Sequence, residues 1–438
     1  MKKSWQAAAA VAAATALILS GCSDPGASDG AAAGPVTWPA QDTKLDGTTL
    51  TVWAATNSNK IPASVIDGFE KLTGATVKVV TIPDPYEQGI QTKVATGDKP
   101  DLAFWQPTAS QLSALNAKTN LQPLDDAPWL DDYTGNLADL TGMLDDTRYA
   151  ALISSPSVEG VYYNKDVFTQ AGITETPANW DEFMADAQAI KDAGVTPFYE
   201  MGVPGWATQW WVQVQLADAA ADGLWDRVNA NEEKFTDPAI QGAIDNYKAM
   251  IDDGMFNADI KTSTFADQGD ALLAGEAGMV VQVNSYFSQL QSAASTEELN
   301  AKIGFFPISP AGNVGTFIPD QSNALVAFKT GDAAREAASR QLLSYWLGDG
   351  YEAFVKDQST VSIIDGVDSP ADVPQALLDV AASVDGSVGS MQALAVANPD
   401  LYIFLDNMIQ GTMTATEAAE ATQEQFEQLA KAQGVAGF

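Results

Sequence analysis

Apolar residues recur along this chain in two alternating periods, and that alternation predicts its elements. Thr48-Thr49-Leu50-Thr51-Val52-Trp53 is a β-branched run after Gly47 and reads as a strand. Ile61, Val65, Ile66, Phe69 and Leu72 keep helical spacing over Ile61 to Leu72, and Gly74 stops the helix. Ala75 to Ile82 returns to strand character and ends at Pro83, Tyr86 to Thr96 is a helix closed by Gly97, and Asp101 to Trp105 is a short apolar strand. This β-α-β-α-β order implies a parallel sheet covered by helices on both faces. Farther on, strands are expected at Gly160–Tyr163, Gly278–Val283, Ile303–Phe306 and Ala324–Phe328. Helices are expected at Trp180–Ala193, Ile240–Asp252, Asp267–Ala274, Ala333–Leu347, Leu401–Met408 and Thr416–Ala432, the last capped by Thr416. No internal repeat interrupts the series.

The N-terminus breaks this pattern. Met1, Lys2 and Lys3 precede an Ala-rich apolar run from Trp5 to Ile18, and Leu19-Ser20-Gly21-Cys22 follows. The run is too short for a bilayer span of about 20 residues and reads as a secretory signal. Leu-Ser-Gly before a cysteine resembles the lipobox of bacterial lipoproteins, which implies acylation of Cys22. Residues 1–21 are then a signal peptide. Residues 22–46, rich in Gly, Ala, Ser, Asp and Pro, read as a flexible tether. An ordinary secretory signal with an incidental cysteine is the alternative.

Composition narrows the chemistry. Cys22 is the only cysteine, so no intramolecular disulfide, thiol catalysis or zinc–thiolate site is available. There is no histidine, which removes the commonest general base and metal ligand. The net charge of −35 repels nucleic acid and anionic lipid; it aids solubility, and it leaves a cationic ligand as the sharper alternative. The 438 residues, 46% of them hydrophobic, suffice for a core divided between two lobes. No cofactor and no metal is expected.

Four stretches carry a family resemblance. Val161-Tyr162-Tyr163-Asn164-Lys165-Asp166-Val167-Phe168, then Ala171-Gly172-Ile173 and Pro177-Ala178-Asn179-Trp180-Asp181-Glu182-Phe183, is the clearest. Gly97-Asp98-Lys99-Pro100-Asp101, Leu273-Ala274-Gly275-Glu276-Ala277-Gly278-Met279 and Gly304-Phe305-Phe306-Pro307-Ile308 follow the same family's pattern. Together they resemble the extracellular solute-binding proteins of bacterial ABC transporters, in the carbohydrate-binding, maltose-binding-protein-like group. Asn179 stands where that family usually has Thr, and both residues cap helices.

The resemblance implies an α/β periplasmic-binding-protein-like fold of two lobes, each a mostly parallel sheet with flanking helices, joined by a multi-segment hinge. It places the N-lobe at 47–156 and 316–366 and the C-lobe at 157–315 and 367–438, with Pro156, Gly315, Pro319 and Gly366 flanking the hinge. It implies a monomeric, non-enzymatic protein, exported and lipid-anchored, which captures a mono- or oligosaccharide and delivers it to the permease subunits. The same fold holding a polyamine, peptide or metal chelate is the first rival. An exported glycoside hydrolase, needing two carboxylates about 5–10 Å apart, is the second.

Ligand sites in open α/β sheets lie beyond the carboxyl ends of the strands. That rule selects Trp53 and Asn57 after the first strand, Trp105 and Gln106 after the third, Tyr163 at the end of the crossing strand, Asn284 and Tyr286 after Val283, and Asp320 and Gln321 on the returning segment. Asp101 joins them, although a structural turn role competes for it. A sugar stacks its C–H face on an aromatic ring and shares hydroxyls with Asp, Asn and Gln. Trp206 and Trp210, in the densest tryptophan cluster, are the stacking candidates, while Trp211, Trp129, Trp225 and Trp180 read as packing residues.

Overall fold

The computed structural model describes residues 38–55, 62–83, 86–203 and 205–438, with Gln321 described by its backbone alone. Cys22, Asn57 and Ile61, the expected start of the first helix, lie outside these residues. The strands among the described residues are β1 Thr49–Ala55, β2 Thr76–Ile82, β3 Leu102–Phe104, β4 Met143–Leu144, β5 Thr147–Arg148, β6 Ala150–Leu152, β7 Ser157–Asn164, β8 Thr196–Phe198, β9 Ala277–Gln282, β10 Ile303–Phe306, β11 Thr316–Ile318, β12 Ala324–Ala327 and β13 Val388–Gly389.

Two sheets divide these strands, and β4 and β5 form a separate small hairpin. The first sheet has the order β2-β1-β3-β12-β6. Its β1, β2 and β3 are parallel, while β12 runs antiparallel to both neighbours. The second has the order β13-β11-β7-β9-β8, and β10 shares the side of β7 that β11 occupies farther along. Its central strand β7 is antiparallel to β9, β10 and β11, so this sheet is mixed, less parallel than the sequence suggests. β11 pairs with β7 and β13, so the chain re-enters the first sheet only after Ile318, later than the Thr316 boundary expected.

Alternation along the strands feeds two cores. In β7 and β9, Val161, Met279 and Val281 face one cluster with Phe183, Trp211 and Phe306. Tyr162 and Val280 face the other, together with Phe287 and Phe305. That second cluster continues into the first lobe through Leu50, Val52, Phe104, Trp105, Leu325 and Trp346. A period-2 strand buried on both faces explains why β7 and β9 read as near-continuous apolar runs.

Most helices sit where the periodicity puts them. Ala63–Thr73 ends at Gly74 in the left-handed region (φ 80°), where glycine carries no steric cost. The last helix runs Ala415–Ala432, but its cap is Thr414, not Thr416: Thr414 and Glu417 form a reciprocal capping box. The helix Gln375–Val384, which the sequence reading passed over, packs on β7 and β10.

Two chain segments cross between the sheets side by side, 153–156 going out and 319–323 coming back. Asn323 ties them together. Its carbonyl accepts from the Ile153 N–H (2.8 Å), and its amide nitrogen donates to Ser154 Oγ (3.0 Å) and the Ser155 carbonyl (2.9 Å). Its side-chain oxygen accepts from the Asp320 N–H at 3.1 Å. A third passage leads from Ile364, bridged to Tyr133, to Gln375. Pro156 and Pro319 lie within the first two crossovers, whereas Gly315 precedes β11 and belongs to the second sheet.

Replacing Asn323 by Ala removes all three side-chain bonds of a buried residue and should cost about 2–3 kcal/mol. The urea midpoint reads this directly, and an unchanged midpoint would show that the crossovers hold without it.

Candidate functional site

Strand directions decide which residues can face the space between the lobes. In the first sheet the carboxyl ends of β1, β3 and β6 and the start of β12 share one edge. In the second, the carboxyl ends of β8, β9 and β11 and the start of β7 share one edge. The crossovers join these two edges, so these are the ones that oppose each other.

Several sequence candidates fail this test of direction or burial. Tyr163 ends β7, which runs antiparallel, so it lies at the far end of the second sheet, paired with Met279 and packed on Phe168 at 4.3 Å. Asp101 precedes β3 and sits at the far end of the first sheet, fully buried. Its Oδ2 accepts from the Thr51 N–H and from Arg335 Nη2, both at 2.7 Å, which makes it a structural turn residue. Trp53 is buried within β1, because that strand runs on to Ala55; Lys93 Nζ lies 5.3 Å from its ring centroid. Trp105 is buried under the edge, its Nε1–H donating to the Gln111 carbonyl at 3.0 Å. Tyr286 is buried too, meeting Phe265 edge-on at 5.7 Å.

Other candidates do reach the opposed edges. Gln106 follows β3 and is partly exposed. Asn284 follows β9 and accepts from the Val158 N–H at 2.8 Å through Oδ1. Asp320 caps the returning crossover by accepting from the Ser322 N–H at 2.8 Å, and Gln321 lies in the turn it caps. Beside the crossovers a groove of about 160 Å³ runs between Ser154, Ser157, Asn284, Ser285, Asn323 and Thr360, and its described lining carries hydroxyls and amides but no aromatic ring.

The aromatic part of the edge lies after β8. Glu200 to Val203 run alongside Ser263, whose carbonyl accepts from the Gly202 and Val203 N–H groups at 2.9 and 3.0 Å. Trp206–Gln209 then forms a 3₁₀ turn and Trp210–Gln213 a helical one. Trp206 is partly exposed, with its ring 6.2 Å from Trp210 and 5.7 Å from Phe265. Trp211 points the other way and is fully buried, stacked on Tyr247 with an interplanar angle of 10°. Adjacent residues on a helical turn point about 100° apart, so the two rings meet different neighbours, but Trp210 is buried as well, contrary to its expected stacking role, and Trp206 alone of the three is partly exposed.

Two carboxyls missed by the sequence reading support this turn. Glu200 is fully buried and accepts from Trp211 Nε1–H at 2.6 Å and from the Met201 N–H at 2.7 Å. Burial pushes its pKa up to about 8, against those two bonds. Asp406 abuts Gly205, where any Cβ would overlap its carboxylate, and Thr208 Oγ1 donates to it at 3.3 Å. Burial raises Asp406 to about 6, opposed by Thr208 and the Gly205 N–H. Neither residue belongs to a sequence motif, so only their packing reveals them. Among the described residues no group of three His, Cys, Asp or Glu could hold a metal ion.

The profile of the family described as bacterial extracellular solute-binding protein matches residues 54–353. A binding protein of Brucella abortus is 26% identical over 277 residues, which cover 60% of this chain and 63% of that relative's own length. Lipoprotein LipO of Bacillus subtilis is 24% identical over 370 residues, covering 79% of this chain and 69% of LipO. Among solved structures, a chitin oligosaccharide binding protein superposes with a TM-score of 0.70 at 20% identity, over 88% of this chain and 99% of its own. That likeness establishes the two-lobed fold.

Both raised carboxyls bind protons more tightly folded than unfolded. Their contribution to stability is therefore greatest below pH 4 and falls as pH rises through about 6 and then about 8. The melting temperature should decline between pH 5 and pH 9, and Glu200→Gln should flatten the upper part of that decline. An identical slope in the variant would show that Glu200 titrates as an ordinary carboxylate.

Proposed function

The chain belongs to the bacterial extracellular solute-binding protein family, and on that premise we propose that it captures a saccharide between its two lobes and delivers it to the permease of an ABC transporter. The observation that carries this reading is the partly exposed Trp206, backed by Trp210 and Phe265, on an edge of the second sheet that also borders the amide- and hydroxyl-lined groove beside the crossovers. A pyranose needs both: a flat apolar ring for its C–H face, and side chains that donate and accept for its hydroxyls. Gln106, Asn284 and Asp320 are the polar contacts we assign, with Trp206, backed by Trp210, as the aromatic platform. The chitin oligosaccharide named for the structural neighbour is of the same chemical class.

Capture requires closure, since a ligand shifts the lobes only through contacts that are better in the closed form. The crossovers tied by Asn323 supply the pivot. A polyamine would want free carboxylates between aromatic faces. Asp406 is the carboxyl beside the Trp206 turn, and it is already engaged by Thr208 and Gly205. Acylation of Cys22 would hold the protein at the outer face of the membrane and raise its effective concentration near the permease.

The purified chain should gain several degrees of melting temperature with one class of saccharide from a panel, and the sugar should be recovered chemically unchanged. Trp206→Ala should weaken that binding by about 1–3 kcal/mol. Released product would indicate a hydrolase, and a shift with spermidine alone would indicate a polyamine binder. Separately, Cys22→Ser should move the protein from the membrane fraction into the soluble fraction; retention on the membrane would refute the lipid anchor.

A further inference from the structure

Residues 22–46 have the composition of a tether, yet residues 38–46 are bound to the first lobe along their length. Trp38 meets Trp129 edge-on with ring centroids 4.9 Å apart, and it packs on the apolar cluster of Leu50, Phe104 and Trp346. Gln341, fully buried on the helix Ala333–Trp346, donates through Nε2 to the carbonyls of Gln41 (2.9 Å) and Thr43 (2.8 Å). Gln41 Oε1 accepts from the Asp349 N–H at 3.2 Å, and its amide nitrogen lies over Gly348, where any Cβ would overlap it. The Leu45 N–H donates to the Thr73 carbonyl at 2.8 Å, Lys44 Nζ donates to the Leu72 carbonyl, and Asp46 fills the space that a side chain at Gly74 would need. All of these partners belong to the first lobe. Both amide protons of Gln341 are committed to this segment, so without it a buried donor group would lose its acceptors.

The position of Trp38 on the lobe matters as much as its attachment. Trp129 belongs to a turn closed by the Leu130 N–H on the Ala127 carbonyl (3.2 Å) and the Asp132 N–H on the Trp129 carbonyl (3.1 Å). The same turn holds the start of the third passage between the sheets. The Asp365 N–H donates to the Asp132 carbonyl at 2.7 Å, and the Thr134 N–H donates to the Ile363 carbonyl at 2.9 Å. Trp38 is therefore anchored beside the hinge, on the first lobe's side of it. The stretch between Cys22 and Trp38 holds 15 residues and, however it is arranged, cannot reach beyond about 55 Å. A body of charge −35 has no attraction for an anionic bilayer, so attachment rather than adsorption sets which part lies nearest the membrane.

We propose that residues 38–46 are a strap that seats the membrane tether on the first lobe beside the third passage, so that the bilayer holds this lobe and leaves the second free to swing. This rests on the lipid-anchor reading of Cys22 given above and adds where the anchor's pull enters the fold. Points near a pivot move least in a hinge rotation, so opening and closing displace the tether little. The first lobe is then the fixed reference on the membrane and the second lobe the moving part.

An acylated Cys22 has no free thiol, so an introduced cysteine is labelled at one place. The full chain carrying Asp131→Cys, two residues beyond Trp129, or Glu175→Cys, exposed on the second lobe near Tyr163, receives a donor fluorophore. Each is reconstituted in phosphatidylcholine–phosphatidylglycerol vesicles whose headgroups carry an acceptor. Energy transfer should be about twofold higher from the label at Asp131 than from that at Glu175; adding Trp38→Ala and Gln41→Ala should lower the Asp131 signal and speed exchange of the Leu45 N–H roughly tenfold. Equal transfer from the two positions overturns the seating. So does an Asp131 signal that is unchanged when Leu45 has lost its protection, and protection kept in the double variant overturns the strap itself. A chain that fails to enter the vesicle fraction overturns the lipid anchor and the seating together, and leaves the saccharide reading standing.

Discussion

The antiparallel pairing of the two crossovers is the constraint on which the architecture depends. Asn323 bonds to Ile153, Ser154, Ser155 and Asp320, and so holds the outgoing and returning segments in one register. With that register set, the carboxyl ends of β1 and β3 must face the carboxyl ends of β8 and β9. Short crossovers leave little slack for any other arrangement. The neighbouring core passes through the hinge region as well, since Tyr162 and Phe305 belong to the same apolar cluster as Phe104 and Trp346. A hinge built this way can rotate, but it cannot shear without exposing apolar surface.

Charge is distributed against the grain of the composition. The chain carries −35, yet the edges that face each other present mainly amides, hydroxyls and indole rings. The acids nearest the Trp206 turn, Glu200 and Asp406, are drawn inward and held by Trp211, Met201, Thr208 and Gly205. Desolvation raises their pKa values and disfavours their charged forms. Glu200, raised to about 8, is mostly protonated at neutral pH, whereas Asp406, near 6, keeps most of its charge and is held by its hydrogen bonds.

Much of the fold was legible because periodicity is a local property. The strands at Thr49–Ala55, Thr76–Ile82 and Ile303–Phe306 and the helices at Trp180–Asp192 and Ala333–Trp346 fall within a residue or two of where the apolar pattern puts them. Trp211 was legible as a packing residue by its angular offset from Trp210. The site was less legible. Tyr163 was selected by the rule that strand ends face the gap, and Asp101 joined it from the Gly97–Asp101 turn, but placing either needs strand direction. The antiparallel course of β7 and the placement of Asp101 at an amino end cannot be read from a single strand. Trp53 failed for a smaller reason, two further residues of β1.

The sequence alone determined the alternation of strands and helices, the absence of histidine and of any cysteine beyond Cys22, and the family motifs. Each of these depends on residues close together in the chain. Only the tertiary structure decided that Gln111 meets Met391–Leu394, that Gln209 orients Gln392, and that Asp406 lies against Gly205. Such pairs are separated by up to hundreds of residues, and glutamines in ordinary helices carry no local signal. Contacts of that kind exist only once the whole chain is packed.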